Sequence, residues 1–182
     1  MIKQIKQEIL TYIQTLEALP DEKFENYIVN IIRRDYASKK LRCKEQVRPI
    51  WAGLKVIGKC NFNCEHCWAV LSNQERSFNE IITAINKMVK MGILHITISG
   101  GEPFLRKDIF DILKYIKEKN MHLSIYTNGS LLDWSSIQRL ENILDDFDVI
   151  QVSLDGSDSK TFYTQRKSYM FDKVVQNLEM LG

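Results

Sequence analysis

The chain has 182 residues, 45% hydrophobic and 26% charged, enough to bury one sizeable core and too apolar for a disordered tail. Four cysteines in so ordinary a composition do not describe a secreted disulfide scaffold, and they point to a reducing, cytoplasmic setting. A net charge of +2 gives no ground to expect nucleic acid, no apolar run approaches the roughly twenty residues of a membrane span, and the N-terminus lacks a secretory cleavage pattern.

Residues 1–48 read as a separate helical element with a basic linker, and 49–182 as the principal domain. Ile2, Ile5, Ile9, Ile13 and Leu16 recur at helical spacing, Pro20 interrupts, and Phe24, Tyr27, Ile28, Ile31 and Ile32 form a second stripe. Two amphipathic helices packed outside the main domain are expected. Arg33, Arg34, Lys39, Lys40, Arg42, Lys44 and Arg48 then face only Asp35 and Glu45, which reads as a solvated linker or as a docking surface for an acidic peptide or partner. Cys43, within that stretch, reads as an ordinary thiol.

From Leu54 onward short β-rich runs alternate with helical periodicity. The first strand is expected over Leu54 to Gly58, and its end delivers Cys60, Cys64 and Cys67. Ser77 and Glu80 form a capping-box pattern before Ile81, Ile85, Met88 and Val89, and Gly92 is placed to end that helix. A strand over His95 to Ser99 delivers Gly100-Gly101-Glu102-Pro103. A helix around Ile109, Leu113 and Ile116 leads to a third strand, Leu123 to Thr127, ending at Asn128-Gly129. Ile137, Leu140 and Leu144 mark a helix before a fourth strand, Val149 to Leu154, and the turn at Asp155-Gly156; Phe171, Val174, Val175, Leu178 and Leu181 mark a last helix. Four successive strand-helix units predict an α/β domain with a parallel sheet, because parallel neighbours need crossovers. Polar residues gather at the carboxyl ends of all four strands, where such folds build their sites.

Three cysteines in Cys-Asn-Phe-Asn-Cys-Glu-His-Cys offer soft sulfur ligands to three corners of an iron-sulfur cluster, with no fourth cysteine nearby to close the last iron. The bare triplet is also compatible with a zinc half-site, a disulfide piece or a ferredoxin-like binder. With Gly100-Gly101-Glu102-Pro103 in the next strand-helix unit, the pair of motifs resembles the CxxxCxxC loop and the second signature of the radical S-adenosylmethionine (radical SAM) enzymes.

The resemblance implies a partial (β/α) barrel of six units, of which this sequence supplies about four, so a truncated protein, a gene fragment or a remainder in another chain is expected. It implies a 4Fe–4S cluster on Cys60, Cys64 and Cys67, and S-adenosylmethionine bound at the open iron. Gly100, Gly101 and Glu102 are assigned to the methionine moiety, with Glu102 accepting from its ammonium group and Pro103 fixing the turn. Thr127, Asn128 and Ser153 match positions that contact the ribose or carboxylate in relatives, and Arg166 falls where relatives place a carboxylate-binding arginine. Relatives commonly carry an aromatic residue before the third cysteine, near the adenine; here His66 stands there and the aromatic is Trp68. His95 and His122 read as structural.

The approach Arg48-Pro49-Ile50-Trp51 and the run Ser153-Leu154-Asp155-Gly156 resemble the branch that matures peptides and cofactors, usually with a C-terminal cysteine-rich SPASM domain that this sequence does not contain. The implied activity is generation of a 5′-deoxyadenosyl radical for hydrogen abstraction from a peptide or protein, with an external one-electron donor such as flavodoxin or ferredoxin. A haem- or small-cofactor-tailoring enzyme shares these motifs. A non-catalytic iron-sulfur or metal-binding module would explain the cysteines and leave the glycine-glutamate turn and the strand-end polar cluster unexplained, whereas an inactive fragment would keep the cluster ligands and lack part of the cofactor and substrate walls.

Overall fold

The computed structural model describes residues 49–181 except 68, 70, 71 and 74. The two N-terminal helical stripes, the basic stretch, Cys43 and Trp68 lie outside the described residues. Four parallel strands form one sheet in chain order: β1 (Trp51–Ile57), β2 (His95–Gly100), β3 (His122–Thr127) and β4 (Val149–Val152). The helices between and after them are α1 (Phe78–Met91), α2 (Ile109–Glu118), α3 (Trp134–Glu141), α4 (Ser159–Arg166) and α5 (Phe171–Leu181), with a 3-10 turn at Pro103–Leu105. Strand order identical to chain order is what crossovers of one hand produce as a barrel begins to close. No helix among the described residues is long and apolar enough to cross a membrane.

The sheet has two unlike faces because side chains alternate along a strand. Leu54 and Val56, Ile96 and Ile98, and Leu123 and Ile125 point at the helices and are buried with Ile81, Ile85, Ile112, Leu113 and Ile116. On the opposite face Trp51, Tyr126 and Val149 are exposed, and Trp51 donates its indole N–H to Thr97 at 2.8 Å. Local signals agree with this packing. Ser77 and Glu80 make the reciprocal capping box of α1, and Gly92 closes that helix at φ 80°.

Boundaries depart from the sequence expectation at several places, with β2 running one residue further, to Gly100, and β3 starting one residue earlier, at His122. The first strand starts at Trp51 and ends at Ile57, because pairing with β2 already begins at Trp51 opposite His95. The fourth strand stops at Val152, the last residue paired to β3, although Ser153 still donates its N–H to the Thr127 carbonyl at 2.9 Å. The third helix starts at Trp134, where Asp133 caps it by accepting from Ser136, and ends at Glu141. Two elements have no counterpart in the hydrophobic pattern: the 3-10 turn and α4. Only Phe162 of α4 is buried, so it carries no apolar stripe, and its sequence signal is Asp158 accepting from the N–H groups of Lys160 and Thr161.

Candidate functional site

The carboxyl ends of all four strands converge on a cavity of about 200 Å³. The loop after β1 supplies its cysteines. That loop is closed at its base by Ser72 donating to the Gly58 carbonyl at 3.1 Å, and it is pinned by Phe62, which is buried edge-on against Phe162 with ring centroids 6.0 Å apart. A tight turn, Cys67 N–H to Cys64 carbonyl at 3.3 Å, brings the last two cysteines round together. Cys60 and Cys64 are half-buried, Cys67 is exposed, and all three are free and line the cavity. Burial pushes the Cys60 thiol up, opposed by the Phe62 N–H that points at its sulfur at 3.4 Å. A metal that binds there has to displace a proton.

The second strand contributes Ser99, Gly100 and Gly101 to the wall. The two glycines are required by the chain itself. Gly101 donates to the Ile57 carbonyl at 3.0 Å and Glu102 to the Lys59 carbonyl at 2.8 Å, so a Cβ on Gly101 would overlap the Lys59 carbonyl. Close approach of β1 and β2 at this point sets the distance between cysteine loop and glycine turn.

Glu102 and Pro103 do not line the cavity. Both are buried, Pro103 as the first residue of the 3-10 turn. The Glu102 carboxylate accepts from Thr127 Oγ1 at 2.8 Å, from the Asn128 N–H at 2.7 Å and from the Phe104 N–H at 3.1 Å. Burial lifts its carboxyl above the ordinary carboxylate range, against those three donors. The side chain expected at a ligand's ammonium thus braces the turn after β3.

Thr127 and Asn128 reach the cavity from that braced turn. Asn128 donates to Asn61 at 2.9 Å, and its Nδ2 lies 3.9 Å from Cys60 Sγ; its Oδ1 accepts from both the N–H and the hydroxyl of Ser130. Gly129 then takes φ 78°, and the buried Asn177 of α5 donates to its carbonyl at 2.7 Å. Ser153, His66 and Arg166 complete the wall. Arg166 sits 2.6 Å from Asp155 Oδ2 through one nitrogen and donates to Cys64 Sγ at 3.6 Å through another, while His66 Nε2 is 3.3 Å from the same Asp155 oxygen.

Two residues of consequence were not singled out by the sequence. Tyr126 lines the cavity from the open face of β3, where strand alternation alone would put it. Arg106 is 3% exposed and donates to the carbonyls of Val56 and Arg76, with a two-pronged contact to Asp108, so it ties the return arm of the cysteine loop to β1. Nothing in its spacing separates it from a solvated arginine.

The donor set fits an iron-sulfur cluster: three soft sulfurs on one loop beside a cavity walled by strand-end polar groups, with a buried Arg166 Nε that has no partner among the described residues. The chain is 37% identical over 110 residues to a probable GTP 3′,8-cyclase of Methanococcus maripaludis and 35% identical over 102 residues to the Fe-coproporphyrin III synthase of Methanosarcina barkeri. It is 28% identical over 139 residues to the mycofactocin maturase MftC of Mycolicibacterium smegmatis. These matches cover 58%, 54% and 74% of this chain, and 36%, 25% and 34% of the relatives' own lengths. Streptococcus suis SuiB, solved with its precursor peptide SuiA, superposes on 98% of this chain and 42% of its own with a TM-score of 0.67 at 19% identity, a likeness of fold. The model of the radical SAM superfamily matches residues 54–182, and the chain belongs to that superfamily.

Proposed function

We propose that this chain carries the cluster- and S-adenosylmethionine-binding part of an enzyme that abstracts a hydrogen atom from a peptide or protein substrate. The observation that carries the reading is the convergence of Cys60, Cys64 and Cys67 with Gly100, Gly101, Thr127, Asn128, Ser153 and Arg166 on one cavity. When bound, the reduced 4Fe–4S cluster and S-adenosylmethionine used by this superfamily supply one-electron cleavage of the sulfonium to methionine and a hydrogen-abstracting 5′-deoxyadenosyl radical.

The residues present have separable tasks in this reading. The three cysteines hold three irons and leave the fourth open. Backbone groups at Gly100 and Gly101 face the amino acid moiety. The guanidinium of Arg166 and the hydroxyl of Ser153 take its carboxylate, Thr127 and Asn128 bound the ribose, and the planar ring of His66 lies where an adenine can stack. Glu102 acts one step back, by holding Thr127 and Asn128 in register. The electron comes from an outside donor such as a flavodoxin or ferredoxin, and free thiols at an open cluster site suit a reducing, cytoplasmic compartment.

The 28% identity to a peptide maturase over 74% of the chain supports a peptide substrate. Similarity to a GTP cyclase and an Fe-coproporphyrin III synthase favours a second reading, a small-molecule or haem-type substrate. Anaerobic reconstitution followed by electron paramagnetic resonance tests the common part: the reduced signal should change when S-adenosylmethionine is added. A signal indifferent to the cofactor would sink the proposal. Mass analysis of candidate peptides against candidate porphyrins, scored with 5′-deoxyadenosine formation, separates the two substrate classes.

A further inference from the structure

The end of α4 is fastened to the cysteine loop at four points. The Gln165 carbonyl accepts the Glu65 N–H at 3.3 Å, Lys167 Nζ lies 2.9 Å from Glu65, Phe162 stacks edge-on with Phe62, and Arg166 donates to Cys64 Sγ at 3.6 Å. The last of these differs in kind, because it touches an expected cluster ligand. Arg166 is 11% exposed on its side chain and is held from behind by Asp155 at 2.6 Å. The oxygen that holds it is the one facing His66 Nε2.

Electrostatics give that contact a purpose. A helix C-terminus carries about half a negative charge, and α4 aims its end at a loop bearing three sulfurs that must be thiolates to bind metal. A cation in the last turn offsets this from any orientation. A guanidinium fixed at N–H···S distance does more, because a hydrogen bond to a ligating sulfur draws off electron density and favours the reduced state of a cluster. Asp155 is what fixes it: one carboxylate oxygen takes one prong of the guanidinium and leaves the other on Cys64.

We propose that Asp155 is a positioning residue that holds Arg166 against the sulfur of Cys64, and that this contact raises the reduction potential of the cluster bound by the cysteine loop. The inference rests on the function proposed above. No atom is transferred: the donor protein gives one electron, the cluster accepts it, and Arg166 changes only the ease of that step.

The test is a redox titration followed by electron paramagnetic resonance on the reconstituted full chain without S-adenosylmethionine, comparing wild type with Asp155→Asn, Asp155→Glu and Arg166→Gln. The expected result is wild-type iron and sulfide content in all, a more negative midpoint in Asp155→Asn and Arg166→Gln, and a return toward the wild-type value in Asp155→Glu. Unshifted midpoints at wild-type cluster content overturn the proposal. Should Arg166→Gln fail to retain iron, Arg166→Lys takes its place, since it keeps the charge and loses the fork; the same negative shift is expected, and an unchanged midpoint again overturns it. A wild-type chain that takes up no iron and sulfide would overturn both this inference and the function it rests on, whereas unshifted variants remove this inference alone.

Discussion

The carboxylate of Glu102 accepts the backbone N–H of Asn128 at 2.7 Å, so the turn that ends β3 hangs from the turn that ends β2. Thr127 Oγ1 and the Phe104 N–H converge on the same side chain, at 2.8 and 3.1 Å. In Glu102→Ala the buried Asn128 N–H loses its acceptor, which costs about 1–3 kcal/mol when left unmade, and the half-buried Phe104 N–H loses its own. The variant should unfold at markedly lower urea concentration than wild type, with cluster uptake falling as Asn128 leaves the cavity. Wild-type stability in urea would show that the brace contributes nothing.

The same carboxylate predicts a pH dependence. Burial raises the carboxyl of Glu102 above its usual value, so ionising it costs more in the folded chain than in the unfolded one. The associated stability is fully present below the unfolded value and is lost as pH rises through the folded one. Glu102→Gln cannot ionise and lacks this loss. On going from mildly acidic to neutral pH, wild type should therefore lose stability relative to Glu102→Gln. Urea midpoints of the pair across that range measure it, and a relative gain by wild type would contradict the burial argument.

Gly101 tests the spacing between the two motifs. Its Cα faces the Lys59 carbonyl so closely that a methyl group has no room without moving backbone. Gly101→Ala should cost on the order of 1–3 kcal/mol, as overpacking does, and should lower iron content after reconstitution because the displaced segment carries Cys60. Iron content equal to wild type would mean that the cysteine loop tolerates the shift.

The cysteines make a simpler prediction. Replacing Cys60, Cys64 or Cys67 with Ala removes one of three sulfur donors and should abolish stable cluster uptake, read as loss of the visible absorbance and of iron. Cys43→Ala should keep wild-type iron content, since Cys43 lies outside the motif. Loss of the cluster in Cys43→Ala would make it a ligand.

Much of this arrangement was legible because β-rich runs, helical periodicity and two motifs are independent of tertiary context. Short β-rich runs and helical stripes located the four units, and Ser77 with Glu80 and Gly92 marked both ends of α1. The cysteine triplet and the glycine pair then fell at strand ends that the cavity unites. What stayed hidden depends on partners distant in sequence. Glu102 looks the same whether it faces a ligand or three donors from its own chain. α4 has one buried residue and so no stripe to read. Val149 to Leu154 looked longer than β4 because Leu154 follows Val152, the last residue that β3 pairs, with only Ser153 between them.

Arg106 is the clearest case of that kind, and it supports the last prediction. Its guanidinium is 2% exposed, grips Asp108 with Nε at 2.6 Å and Nη2 at 2.9 Å, lies 3.4 Å from Glu75, and donates to the carbonyls of Val56 and Arg76. The last two belong to β1 and to the segment that returns from the cysteine loop, so one planar cation sets the loop's exit. Lysine keeps the charge and cannot span these partners at once. Arg106→Lys should lose about 1–3 kcal/mol by leaving buried carbonyls without donors. Limited proteolysis should then cleave the segment around Glu75 and Arg76 several-fold faster than in wild type, while the Ser77 cap keeps α1 itself protected. Cleavage at the wild-type rate would show that the loop is closed by Ser72 and Gly58 without help from Arg106.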